Sequence, residues 1–287
     1  MRKQMKQQME EVRNSLQELC QVIVEKMKKE EKQSLFPFLQ ECQQLAVAWG
    51  ESIEKIEGRG TEVVGVLEDF CEYLYEVAQV AEEGAISIPQ IEKGFQDYLA
   101  QIGQALHHLP TTYEFLFLPY KASMWDSMES VWEAAQKDPD CEVCVVPIPY
   151  YERRADGSLG TFHYEGNEFP KEVPVTHYDE YHLETRRPDI VYIHNPYDHE
   201  NFVTSVDPRF YSYEVKKYTE CLVYIPYYAS AGGMSEGQAM CSAYHYADYI
   251  VVQSEKFIQF FDPSLPREKF LPLGSPKFDK ILQTCAN

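Results

Sequence analysis

The sequence predicts an α/β protein in two parts, an N-terminal helical bundle over residues 1–110 and a Rossmann-like lobe with a parallel sheet over 111–287. Three observations predict it. Up to residue 108, apolar side chains recur at spacings of three and four, the period of helices that bury one stripe. From Tyr113 the period changes, and short apolar runs alternate with helix-like segments, the pattern of a doubly wound sheet. In the last third, DIVYIHNPYD, CLVYIPYYASAGGM, ADYIVVQSEKF and FLPLGSPKFDK each carry a β-branched run into polar or glycine-containing residues. Strands buried on both faces read this way, with their working loops at the carboxyl ends.

The first helix, over 2–32, places Met5, Met9, Val12, Leu16, Leu19, Val22, Ile23 and Met27 on one stripe; KMKKEEK and Pro37 mark its exit. A second helix covers 38–57, with Leu39, Cys42, Leu45, Ala46, Trp49, Ile53 and Ile56 inward, and Gly58-Arg-Gly60 breaks it. A third runs from Thr61 to Glu82, with Val64, Leu67, Phe70, Cys71, Leu74 and Val77 inward; the fourth opens at Ser87-Ile-Pro89 and ends near His107. Such stripes pack helix on helix, so this part reads as a packing or dimerisation module. Strands are predicted over 114–118, 142–147, 189–193, 221–226, 249–253 and 269–273, with helices over 124–136, 210–218, 236–246, 255–261 and 276–284. The stretch 148–188, rich in tyrosine and proline, is too long for a simple connection and is expected to carry function or its own strands; Asp156-Gly157 predicts a hairpin turn in it.

Composition excludes some partners. The formal charge is −20, which repels nucleic acid and anionic lipid except at a local basic patch such as Arg2, Lys3 and Lys6, otherwise read as a solvated helix start. No apolar run reaches transmembrane length, and MRKQMKQQMEEVRN is too polar for a signal peptide. Eight scattered cysteines fit a reducing cytoplasm. Cys141 and Cys144 form a CxxC, but on a strand residues three apart face opposite ways, so no metal site and no cofactor are expected. The 21 tyrosines suit a cleft for polyols, sugars or nucleotides, and equally a partly buried core.

The strings FLPYKASMWDSMESVWEAA (117–135), VVPIPYY (145–151), HYEG (163–166), PVTHYDEY (174–181), PDIVYIHNPYD (188–198), LVYIPYY (222–228) and LGSPKFDK (273–280) together resemble the CDP-glycerol glycerophosphotransferase family, teichoic-acid polymerase-like transferases with a GT-B fold. The resemblance covers 113–287, and the helical part is similar to an N-terminal extension of one branch. It implies that this chain is the first, acceptor-side lobe of a GT-B enzyme. CDP-glycerol would be held mainly by a C-terminal lobe lying outside this chain, and the acceptor would be a polyol phosphate or glycan. It further implies a cytoplasmic location at the inner face of the plasma membrane, with peripheral membrane contact or homo-oligomerisation through the helices.

Glycerophosphate transfer needs a base for the acceptor hydroxyl and cationic or N–H groups for phosphate oxygens. The family supplies the base from a His-Gly-Thr-Pro segment, which by order falls at 227–234 here, where there is no histidine. His194, ending the run DIVYI, is the substitute candidate, with Asp198 four residues on to fix its tautomer; the alternative is a histidine bonding nearby backbone. If the strand order is 3-2-1-4-5-6, the switch point lies between 114–118 and 221–226, and loops 119–126 and 227–237 border the cleft. Lys121 is then expected at a phosphate, Trp125 and Asp126 at a polyol, and Gly232 and Gly233 where backbone approaches an anion. Asn195, Tyr197 and Tyr228 complete the binding set; Ser254 is included, with an N-cap as its other role. Gly274 is expected to turn the chain, and Lys277 to face the donor. His163, His177 and His182 lack metal spacing and are read as loop residues. The rival readings are a non-catalytic binding or oligomerisation module, and a GT-B glycosyltransferase or epimerase relative with another donor.

Overall fold

The computed structural model describes residues 1–29, 32–83, 87–229 and 232–286, and the chain divides into two compact units, Met1–Thr111 and Thr112–Asn287. The first holds helices α1 (Lys3–Lys28), α2 (Lys32–Glu57), α3 (Glu62–Glu83) and α4 (Ile88–His108). α1 packs on α2 and α4, and α3 on the same two, which closes a four-helix ring joined by short connections. The predicted stripes are its interior: Leu16, Ile23, Cys42, Ile53, Phe70 and Ile102 are fully buried. Burying each large aliphatic or aromatic side chain contributes about 1.5–3 kcal/mol. α2 starts six residues earlier than expected, with Pro37 inside the helix rather than ahead of it. Gly58 and Gly60, at φ +84° and +81°, form the break after it.

The basic start is neither an open patch nor a frayed end. The Met1 ammonium pairs with Glu57 at 2.7 Å and donates to the Pro110 carbonyl at 2.8 Å. Lys6 Nζ donates to the Leu109 carbonyl at 2.6 Å and to Thr111 Oγ1 at 3.0 Å, and Arg2 is buried. Among the described residues, no helix is long and apolar enough to cross a membrane.

The second unit is an α/β, Rossmann-like arrangement. Six strands, β1 (Tyr113–Leu118), β2 (Cys141–Val145), β5 (Ile190–Ile193), β7 (Cys221–Tyr224), β8 (Tyr249–Val251) and β9 (Phe270–Leu271), form one sheet with every neighbouring pair parallel. Alternation divides their side chains between two faces. Leu116, Leu118, Val191, Ile193, Leu222, Tyr224 and Ile250 pack one core, while Phe117 and Val145 join Trp125 and Trp132 on the other.

The sheet order corrects an expectation. It is β2-β1-β5-β7-β8-β9, which in chain order of its strands is 2-1-3-4-5-6 rather than 3-2-1-4-5-6. β1 pairs with β5 from Phe115↔Ile190 to Leu118↔Ile193, so the run 189–193 takes the place beside β1 that 221–226 was expected to hold. Both orders leave the strands buried on both faces and both are compatible with right-handed crossovers, so hydrophobic pattern alone does not choose between them.

The 148–188 stretch, with a strand from further along the chain, supplies a second sheet, as its length implied. β3 (Tyr150–Arg153) and β4 (Leu159–His163) form a hairpin around Gly157, and β6 (Thr204–Val206) pairs antiparallel with β3. The crossover helices are shorter than predicted. The 124–136 segment splits into a 3-10 helix (Ala122–Ser127) and α5 (Glu129–Gln136), and 210–218 contains only α7 (Ser212–Val215) between 3-10 turns. The 236–246 segment splits into α8 (Glu236–Ala239) and α9 (Ala243–Tyr246), with α6 (Leu183–Arg186) a single turn and α10 (Pro276–Ala286) closing the chain. Segments this short and this rich in Ser, Tyr and His hold little helix by propensity; packing on the sheet sets their extent.

Candidate functional site

β1 leads toward β2 on one side and β5 toward β7 on the other, so the strand order reverses between β1 and β5. In open parallel sheets the crevice beyond the carboxyl ends at that point is where ligands bind. The loops bordering it are the one after Leu118 and the one starting at His194. The segment after β7, placed there by the expected order, lies one strand further along. It still reaches back: the Tyr227 ring is 6.1 Å from His194 and 6.5 Å from Tyr120.

His194 is fully buried. Its Nε2 accepts the Tyr120 amide at 3.0 Å, and its Nδ1 lies 3.1 Å from Ser127 Oγ. Ser127 donates its own hydrogen to the Met124 carbonyl at 2.8 Å, which leaves Nδ1–H as the donor to Ser127 and assigns the neutral tautomer. Burial, with the nearby Lys277 charge second, lowers its pKa to about 3. A base must reach the acceptor's proton, and here the Tyr120 amide occupies that nitrogen. In this arrangement the imidazole fastens the loop after β1 to the end of β5.

Asp198 does not reach His194. Its carboxylate accepts from Ser212 N at 2.8 Å, Ser212 Oγ at 2.5 Å and Ser242 Oγ at 3.0 Å, and its backbone sits at φ +47°. Burial raises its pKa while the serine hydrogen bonds pull it down. It ties together the segments that follow β5, β6 and β7. Asn195 is also buried and uses Oδ1 to accept the Tyr197 amide at 3.0 Å, an Asx turn that shapes the same loop.

Lys121 stands at the crevice, its Nζ 4.9 Å from the Tyr150 ring centroid and 5.6 Å from that of Tyr120. Among the described residues it forms no ion pair. Asp126 and Lys277 pair with each other, with 2.6 Å from Nζ to each carboxylate oxygen, so they tie α10 to the loop after β1. Trp125 is not a polyol platform: it is 2% exposed and packs against Phe117, Trp132 and Phe169, because the 3-10 turn directs it under the sheet.

Tyr228 packs edge-on against Tyr227 at 5.4 Å. Gly233 lies close to Phe260, where an added Cβ would stand 3.2 Å from the ring; a Cβ added to Gly232 would meet no atom within 4 Å, and Ser230 and Ala231 lie outside the described residues. Ser254 is exposed beyond β8, two strands from β5, and precedes the 3-10 helix Glu255–Phe260 without a side-chain capping bond. Gly274 makes its turn at φ +100°.

The sequence reading missed Tyr120, Tyr150, Ser127 and Glu165. Glu165 Oε2 accepts the Ala122 amide at 2.8 Å, and Oε1 accepts the Tyr150 hydroxyl at 2.7 Å. His163, read as a loop residue, stacks on Tyr150 at 5.0 Å. The usable signal was the 148–188 stretch as a whole; which of its side chains return to β1 is a matter of tertiary packing. Lys121, the Glu165 carboxylate and the phenols of Tyr120, Tyr150 and Tyr227 thus stand together around the crevice.

At the amino edge of the sheet the ligand atoms of Glu114, Glu142 and Cys144 come within 4.8 Å of one another. Arg186 already bridges both carboxylates, at 2.9 Å to Glu114 and 2.8 Å to Glu142, and the Tyr181 hydroxyl donates to Glu114 at 2.7 Å. A guanidinium in the middle of the trio makes it an ion-pair network rather than a vacant cation site.

No family model, curated protein or solved structure matches this chain.

Proposed function

We propose that the α/β unit is the acceptor-side lobe of a glycerophosphotransferase-type transferase and takes a polyol phosphate in the crevice beyond β1 and β5. The observation that carries this reading is Lys121, an ammonium held over two tyrosine rings at the switch point and, among the described residues, in no ion pair. A cation oriented by aromatic faces rather than by a carboxylate keeps its charge for an incoming anion. The surrounding phenols suit hydroxyl groups. In this reading an acceptor hydroxyl would attack the β-phosphorus of CDP-glycerol, losing its proton to a base as CMP departs.

Titration calorimetry with glycerol 3-phosphate tests the reading. Lys121→Met should weaken binding about tenfold or more, the loss of one charge-assisted contact to phosphate. Unchanged affinity would remove the basis for the assignment. Micromolar affinity for CDP-glycerol in this chain would also contradict it, since the nucleotide belongs to the other lobe.

A second reading, a binding module without catalysis, draws on His194. With both ring nitrogens engaged and Asp198 held by Ser212 and Ser242, the two groups expected to do chemistry serve structure instead.

A further inference from the structure

Glu165 follows β4 in the long connection, yet its carboxylate returns to the loop after β1. It holds the amide of Ala122, the residue next to Lys121, and the hydroxyl of Tyr150, whose ring lies beneath the Lys121 ammonium. One tyrosine therefore has a cation over its ring and an anion at its hydroxyl. The two charges do not pair with each other among the described residues.

Each carboxylate offers about four lone-pair sites, and the two contacts of Glu165 use two of them. The remaining capacity is acceptor-only, on a half-buried side chain. It can take a hydroxyl and cannot take a phosphate oxygen. A bare phosphate is attracted by Lys121 and repelled by Glu165; an ester that also carries a hydroxyl satisfies both. We propose that Glu165 selects a hydroxyl-bearing phosphate ester over a bare or alkyl phosphate. The assignment rests on the polyol-phosphate reading above, and adds to it a specificity-determining residue that acts by contact with the ligand's hydroxyl.

Titrations of the wild type and Glu165→Gln with glycerol 3-phosphate, propyl phosphate and inorganic phosphate test it, with thermal melting as a check on folding. The wild type should bind glycerol 3-phosphate about tenfold more tightly than propyl phosphate, the worth of one charge-assisted hydrogen bond. In Glu165→Gln that ratio should fall to about threefold or less, while inorganic phosphate binds roughly two- to fivefold more tightly because a nearby negative charge is gone. If Glu165→Gln does not fold, the wild type carries the test, and equal affinity for glycerol 3-phosphate and propyl phosphate overturns the proposal. An unaltered ratio in folded Glu165→Gln overturns the selection by Glu165 alone. Failure of the wild type to bind any of the three overturns both this proposal and the reading it rests on.

Discussion

An imidazole with no exposed surface, and with a backbone amide donating to one nitrogen, has nowhere to put a second proton. That places a pH dependence on His194. Its pKa is near 6.5 in the unfolded chain and is lowered to about 3 in the folded one, so below pH 6.5 the unfolded state binds the extra proton. The stability it protects is complete above pH 6.5 and is lost as pH falls toward 3, with a slope of up to about 1.4 kcal/mol per pH unit. Urea unfolding across that range should give a steeper decline for the wild type than for His194→Gln. Parallel profiles would mean that the ring titrates freely. At neutral pH the substitution should itself cost about 1–3 kcal/mol, because it disturbs bonds to Tyr120 and Ser127 that are closed to water.

Helices α3 and α4 approach so closely that one position admits no side chain. A Cβ on Gly94 of α4 would lie 2.1 Å from the Tyr73 hydroxyl and 2.4 Å from its ring carbon. Tyr73 has little room to yield, since it packs against Phe95 at 5.7 Å and Tyr98 at 5.1 Å and donates to the Ile91 carbonyl at 3.3 Å. In an open helix, Gly→Ala would gain up to about 1 kcal/mol. Here the overlap outweighs that gain, and Gly94→Ala should destabilise the bundle by about 1–3 kcal/mol in thermal or denaturant unfolding. Equal or greater stability would show that Tyr73 moves aside at little cost. In the second unit the 236–246 segment, expected as one helix, folds as two single turns, α8 and α9, and Ala247 leaves helical backbone just ahead of β8.

For the whole molecule, the first unit has a continuous core drawn from all four of its helices, from Leu16 through Ile53 and Phe70 to Leu106. A fragment of residues 1–111 should therefore fold alone, with helical circular dichroism and a single cooperative melt. A broad, gradual loss of signal would mean that its stability depends on the rest of the chain.

The sequence by itself determined what depends on near neighbours along the chain. Stripes at spacings of three and four, and short β-branched runs ending in polar residues, specify four helices and six strands, because helix and strand periods are local properties. The position of Lys121 just after a strand was legible for the same reason. Only the tertiary structure decided which strand lies beside β1, since both strand orders bury the same faces. Tertiary packing likewise brings His194 against Tyr120, puts Trp125 in the core, pairs Asp126 with Lys277, and carries Glu165 back 43 residues to the Ala122 amide. Contacts across such distances leave no period in the sequence, because packing rather than spacing selects them.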